Sequence, residues 1–419
     1  MPKPVFRALI EKKAAWPIEQ YLHGRRNGEL PTLQVKRFIE GIISADYRGR
    51  TLIELIQNAH DAHPKGSKDG QIRILLDETE GAFGTLYVAN GGQPLSEANF
   101  NAIVSVALSD KPPSEGIGNK GVGFKSVLQF SDRPEVYSKA TPESANFDGF
   151  SFRFGEPDDF ERMADGVDAS PVELADNIST LTLTFPLESA PPRVEVFGAD
   201  GFCTVIRLPL KSDRALQDAR GELHEVSSSD VPLHLFLDRI ETIEIQVVGD
   251  DAPGPVSLTR LADDLSPTHG VSTTILQDGS EFVVARRTVP ERQVLDAIAA
   301  TREAGAHLPG WDAWKGDAEV IVALSADEAL ASPRLYNFLP MGEQVACPLP
   351  AYLQAPFFSS LNRRSLDEAY PINALFLDEA AELAADLLVA ATEGDLDLPD
   401  GTLVDLGCWA AGSLNTLKE

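Results

Sequence analysis

The chain has 419 residues, 43% of them apolar, and a formal net charge of −28. That length suits two domains, each with a real core, and so acidic a chain argues against a nucleic-acid backbone or an anionic membrane as its main partner, because like charges repel. No apolar run reaches about eighteen residues and the N-terminus has no signal-peptide core, so the expectation is a soluble cytoplasmic protein.

In chain order, residues 8–23 and 31–44 read as helices joined by the polar turn HGRRNGEL. Residues 50–63 (RTLIELIQNAHDAH) form a third, ended by Pro64 and a KGSKDG loop. Short strand patterns follow at 71–76 and 85–90. Ser96 is placed to cap a helix whose apolar residues Phe100, Ile103, Val104, Ala107 and Leu108 share one face. After a polar, proline-containing loop at 109–114, strand patterns dominate at 134–138, 150–154, 179–187 and 203–210. The acidic segment between 155 and 176 reads as a surface insertion. Near residue 215 the character changes, and a domain boundary is expected there. Residues 232–248 read as a helix running into a strand, with helices at 289–303 and 373–394 further on. Cys203, Cys347 and Cys408 are too scattered for a disulfide framework or a zinc site and read as buried small side chains.

Two stretches carry chemistry. Glu54, Asn58 and Asp61 stand at i, i+4 and i+7, on one face of the third helix, with Leu52, Leu55, Ala59 and Ala62 largely on the other. Taken alone, such a stripe reads first as a solvated face. It also suits a magnesium–nucleotide site: Asn58 offers a hard oxygen ligand for Mg²⁺, and Glu54 a carboxylate able to polarise an attacking water. About sixty residues on, Gly118, Gly121 and Gly123 form G-x-x-G-x-G and lead at once into the helix-like FKSVLQF. Bare amides at a helix start make a phosphate cradle. It is neither a Walker A loop nor a dinucleotide fingerprint, because no G-K-[ST] follows four residues after a glycine and the glycines come after a loop and the acidic helix rather than directly after the first strand. Lys111, Lys120 and Lys125 are the cations nearby; a solvated lysine is the simpler reading of Lys111, and Lys125 stays open. His60 and His63 are spaced to chelate, but no third ligand is evident.

ELIQNAHDA, VANGGQPL, GNKGVGFKSVLQFSDRPEVYSK and CTVIRLPL, in that order, resemble the four boxes of the GHKL, or Bergerat-fold, ATPases. The glycine stretch is most similar to the ninety-kilodalton heat-shock chaperones. With DYRGRTLIELIQNA ahead of it, the pattern looks closer still to the sacsin and NO VEIN type of chaperone-like ATP-binding domain. The resemblance covers residues 30–215 well.

It implies an α+β fold. Residues 1–215 would be a two-layer α/β sandwich, a mixed or antiparallel sheet with helices on one face. Residues 216–419 would be a transducer-like α/β middle domain with a C-terminal helix. It implies ATP and Mg²⁺ as ligands, with Glu54 as general base, Asn58 on Mg²⁺ and Asp61 supporting the nucleotide. Gly92 would let adenine approach closely, and Thr204 would hold it through water. Gly118, Asn119, Lys120, Gly121, Val122, Gly123, Phe124 and Lys125 would line the triphosphate, with 109–120 as a lid. Asn90 stands where the superfamily usually has aspartate, and Pro94 where it has a second glycine. The segment QAPFFSSLNRRSLD is similar to the one that sends a basic residue to the γ-phosphate, implying Arg363, with Arg364 as alternative, as a stabiliser of phosphoryl charge. Surface ion pairs with acids such as Asp367 are the other reading of both arginines.

The functions expected are slow ATP hydrolysis driving a chaperone-like or defence-associated conformational machine, with a homodimer or a partner protein, or else a nucleotide-gated module without turnover. A histidine kinase is least expected, since no dimerisation helix with a phosphoacceptor histidine precedes the ATP domain.

Overall fold

The structure is a computed structural model. It describes residues 2–27, 49–104 and 123–407, apart from 229–230, 251, 267–269, 309, 327–329, 331, 343–344, 346, 360–365 and 397. The helix expected at 31–44, the lid segment 109–120 and Cys408 lie outside the described residues. The described chain divides into two compact units: residues up to 110, from 120 to 227 and from 242 to 257 belong to the first, and residues from 228 to 241 and from 258 onward to the second. It is a mixed α/β structure whose strands pair mostly in antiparallel fashion.

In the first unit, helices α1 (Pro4–Asn27) and α2 (Thr51–Asp61) precede strands β1 (Gly70–Asp77) and β2 (Thr85–Asn90). Helix α3 (Glu97–Val104) and a 3₁₀ helix at Gly123–Gln129 come next, then β3 (Glu135–Ser138) and β4 (Phe152–Phe154). Helices α4 (Pro157–Met163) and α5 (Pro171–Asn177), strand β5 (Thr184–Pro186), helix α6 (Pro192–Ala199), strand β6 (Thr204–Pro209), helix α7 (Asp213–Ser228) and strand β7 (Ile240–Val248) complete it. The strands run in the order β7-β1-β2-β6-β3-β4-β5.

Strand alternation divides the side chains between two faces. Leu75, Tyr87, Ala89, Tyr137 and Val205 pack on one face against Val194 and Phe197 of α6. Helix α2 packs against β1 and β2, and none of its residues belongs to that cluster. The expectation of helices on one face alone is therefore corrected: the second face is apolar enough to need a cover, and the short α6 provides it. An aromatic series ties the elements together. Phe6 meets Phe150 at 4.9 Å, Phe100 stacks on Phe150 at 4.7 Å, and Phe124 meets Phe154 at 5.7 Å between ring centroids.

The acidic segment 155–176 is also corrected. It folds as α4 and α5, which bury Phe160 and Leu174 in a cluster with Ile18 and Tyr21 of α1. Each helix starts at a proline, and Ser170 caps α5 by accepting from Glu173 N. Most of the charge occupies the outer faces.

The second unit contains β8 (Val256–Ser266), β9 (Val271–Leu276), β10 (Glu281–Val289), α8 (Glu291–Glu303), β11 (Ala318–Ser325), β12 (Arg334–Asn337), β13 (Leu339–Pro340), β14 (Tyr352–Gln354), α9 (Pro371–Glu393) and α10 (Asp400–Leu406). The strand order is β13-β12-β14-β11-β10-β9-β8, with β12 and β14 parallel. Val283, Ala285, Val320 and Val322 face a core that includes Phe376, Leu383 and Leu387 of α9. The alternate residues Phe282, Val284, Ile321 and Ala323 pack with Leu235 and Phe236. Burial on both faces explains the continuous apolar runs. The helix expected at the start of 232–248 is absent: residues 232–239 form turns, and only β7 is regular. Pro232 and the alternation of Leu233, Leu235 and Leu237 suit an irregular segment laid on the core.

Candidate functional site

Helix α2 is nearly encircled. Thr51 to Gln57, Ala59 and His60 are all buried. Glu54 is 6% exposed, and the Asp61 side chain is 2% exposed and 3.5 Å from His60 Nδ1. Asn58 is half-buried. A solvated stripe does not describe this face. Two carboxylates and an amide stand on a helix held inside the unit, so their positions are set by the packing of the whole helix.

One end of the sheet supplies a second polar group. Asn90 pairs with Thr204 across β2 and β6, and Thr204 with Ser138 across β6 and β3. Directly opposed residues point to the same face, so three polar side chains lie in a row. Asn90 and Thr204 are 6% and 5% exposed, and Ser138 is fully buried. Asn90 donates through Nδ2 to Gly91 O at 2.6 Å, which leaves Oδ1 as its acceptor end. The Thr204 and Ser138 hydroxyls are 3.3 Å apart. Ser138 also accepts from Leu95 N at 2.9 Å, which anchors the loop that follows β2.

That loop crosses beneath α2. Gln93 N donates to Ala62 O at 2.8 Å, and Gly92 has φ +73° with its α-carbon turned to Ala62 and His63. Only a residue without Cβ fits so close a passage. The row on the strands and the helix with Glu54 are thereby locked to one another.

Of the glycine-rich region, Gly118, Asn119, Lys120, Gly121 and Val122 lie outside the described residues, as does Lys111. From Gly123 onward the backbone is a 3₁₀ helix. Phe124 is buried against Phe154. Lys125 is 1% exposed, and its Nζ donates to Ile103 O at 2.9 Å near the end of α3. The Thr51 hydroxyl reaches Ser126 O at 3.3 Å and so joins this segment to the start of α2.

Arg363 and Arg364 also lie outside the described residues. The segment's flanks are built in: Ser359 bridges Leu366, and Asn373 of α9 bonds Phe358 N and O and Asp367 O, each at 2.8 Å. Among the described residues no three His, Cys, Asp or Glu side chains gather to hold a metal ion. His63 is turned inward, its Nδ1 2.8 Å from Ala59 O. No described helix is long and apolar enough to cross a membrane.

Two residues of this region escaped the sequence reading. Ser138 lies in the strand motif already noted, and the register beside Thr204 is what gives it a place. Glu222 of α7 accepts from Leu52 N of α2 at 2.8 Å, a contact for which the sequence carries no local signal.

No protein-family model matches the chain. It is 24% identical over 354 residues, 80% of its length, to Protein NO VEIN of Arabidopsis thaliana. The chain spans 11% of that protein, so the likeness is to a distant relative and to a small part of it.

Proposed function

We propose that the first unit is a Bergerat-type ATP-binding domain and that this chain binds ATP with Mg²⁺ and hydrolyses it slowly. The observation that carries this reading is the row Asn90–Thr204–Ser138, joined through the tight Gly92 passage to the buried helix bearing Glu54 and Asn58. The four-box resemblance and the distant likeness to NO VEIN support it.

The residues present fit such a ligand. Asn90 Oδ1 is an acceptor suited to the adenine amino group, Thr204 can reach the ring through water, and Gly92, whose missing Cβ lets the loop pass close to Ala62, would present bare backbone to adenine. Asn58 would hold Mg²⁺, and Asp61 would support the nucleotide from the same helix. The metal, when bound, neutralises phosphate charge. Glu54 would orient and deprotonate the attacking water. The glycine-rich region 118–123 would offer backbone amides to the triphosphate, and Arg363 of the second unit, a transducer-like middle domain, would stabilise charge on the transferred phosphoryl group. Lid closure and domain rearrangement would then follow the nucleotide state, as in a chaperone-like or defence-associated machine with a second copy or a partner protein.

A second reading rests on Asn90 itself. An amide at this position accepts without charge, which favours a nucleotide-gated switch of modest affinity and no turnover. Calorimetry with magnesium-ATP, together with phosphate release from wild type and Glu54→Ala, separates the readings. Binding in both proteins with turnover in wild type alone supports the ATPase. Binding with equal background rates supports the switch, and no heat at millimolar nucleotide overturns both.

A further inference from the structure

We propose that Glu222 is a positioning residue for the reaction proposed above: carried on α7, it seats the first turn of α2 and so sets where Glu54 stands. The proposal rests on the reading of Glu54 as the water-activating base.

The placement of Glu222 breaks a local rule. Helix α7 buries Ala215, Ala219, Leu223 and Val226, an apolar stripe at helical spacing. Glu222 falls on that stripe and is only 6% exposed, whereas Asp213, Arg220 and Glu225 of the same helix are turned outward. A carboxyl group in an apolar stripe is costly to bury unless it has a partner there.

Its partner is the start of α2. The first amides of a helix have no acceptor within the helix, and the side chain at the cap position, Arg50, does not cap them. The acceptor comes instead from 170 residues away, where Glu222 Oε2 takes Leu52 N at 2.8 Å. Glu54 lies in that same first turn, its own amide bonded to Arg50 O at 3.1 Å. The Thr51 hydroxyl bonds to Ser126 O, so the turn is gripped by α7 and by the 3₁₀ helix that follows the glycines. Helix α7 is also the last helix before the chain enters the second unit. Glu222 therefore ties the helix of the proposed base to the segment that leaves the first unit.

The test uses the full chain with Glu222→Leu, which removes the acceptor, and Glu222→Gln, which keeps one. Thermal unfolding and circular dichroism establish the folded fraction of each. Hydrogen exchange of the 51–54 amides should speed up about tenfold in Glu222→Leu, with the end of α2 unaffected, and stay near wild type in Glu222→Gln. Turnover should fall about tenfold in Glu222→Leu with KM for ATP within about twofold, because the groups assigned to adenine stand on strands. Glu222→Gln should restore most of that loss. Wild-type turnover or wild-type 51–54 exchange in folded Glu222→Leu overturns the proposal, as does an equal loss in both variants. If the wild-type chain neither binds nor hydrolyses ATP, the nucleotide reading falls and takes the catalytic role with it. The exchange pattern then still reports whether Glu222 seats α2.

Discussion

Gly92 lies so close to the end of helix α2 that a Cβ on it would fall 2.6 Å from Ala62 O. Its φ of +73° independently disfavours any side chain. Gly92→Ala should therefore destabilise the first unit by about 2–4 kcal/mol, seen as a lowered urea midpoint. A midpoint equal to wild type would mean that the loop can move off the helix.

Burial pushes the Glu222 carboxyl up to about 7, its neighbours Glu225 and Asp218 act in the same direction, and the Leu52 and Thr51 amides oppose them. The native state then holds the proton more tightly than the unfolded chain. Stability from this group is fully present below the ordinary glutamate value and is lost as pH rises through about 7. The loss should be on the order of 2–3 kcal/mol, and Glu222→Gln should flatten it. Urea titrations at a series of pH values from acid to mildly alkaline measure the slope directly.

His234 in the second unit behaves in the opposite sense. Burial holds its imidazole down at about 4, against a smaller opposing effect of the Thr259 carbonyl and Gln277. The unfolded chain takes up the proton first, so stability is present above the ordinary histidine value and is lost as pH falls towards 4. Acidification should weaken the second unit by on the order of 2–3 kcal/mol, and His234→Gln should remove most of that dependence. Probes on the two units should thus report opposite pH slopes over this range.

Arg207 bridges two carboxylates, at 2.8 Å from both Glu80 and Glu135, which in turn accept from the hydroxyls of Tyr87 and Tyr137. Burial alone would lower its pKa, but Glu135 and Glu80 more than offset that and raise it. The same surroundings raise both tyrosines, through burial first and the adjacent glutamates next. Arg207→Ala leaves two partly buried carboxylates facing each other and should cost about 2–3 kcal/mol. Adding Glu135→Gln should recover part of the loss in a double-mutant cycle; strict additivity would show that the cluster is not coupled.

Asn90 carries the adenine assignment. Asn90→Ala should weaken magnesium-ATP binding about tenfold, and Asn90→Asp should at least preserve it, since both native and aspartate side chains keep an acceptor. Calorimetry decides it, and equal affinities in all three proteins would remove Asn90 from the site.

Much of the frame was legible in order. The stripe of apolar residues in RTLIELIQNAHDAH predicts a helix that the structure has at Thr51–Asp61, and the strand at 85–90 matches to the residue. These signals are local: a period of 3.6 or 2, a Pro or Gly stop, a serine cap. Where many residues share an irregular path, as at 232–239, or where charge covers a thin apolar stripe, as in α4 and α5, the local pattern misleads.

For the candidate site, sequence alone determined which residue types stand together on α2, and that an asparagine, Asn90, ends the second strand pattern. Tertiary structure decided that Glu54 and Asp61 are buried, that Ser138 stands beside Thr204, that Lys125 is turned to Ile103 O, and that the acceptor for Leu52 N comes from Glu222. The physical reason is the range of the interactions. Helical periodicity is set within a few residues, whereas strand register, desolvation and a cap supplied from 170 residues away exist only once distant segments have packed.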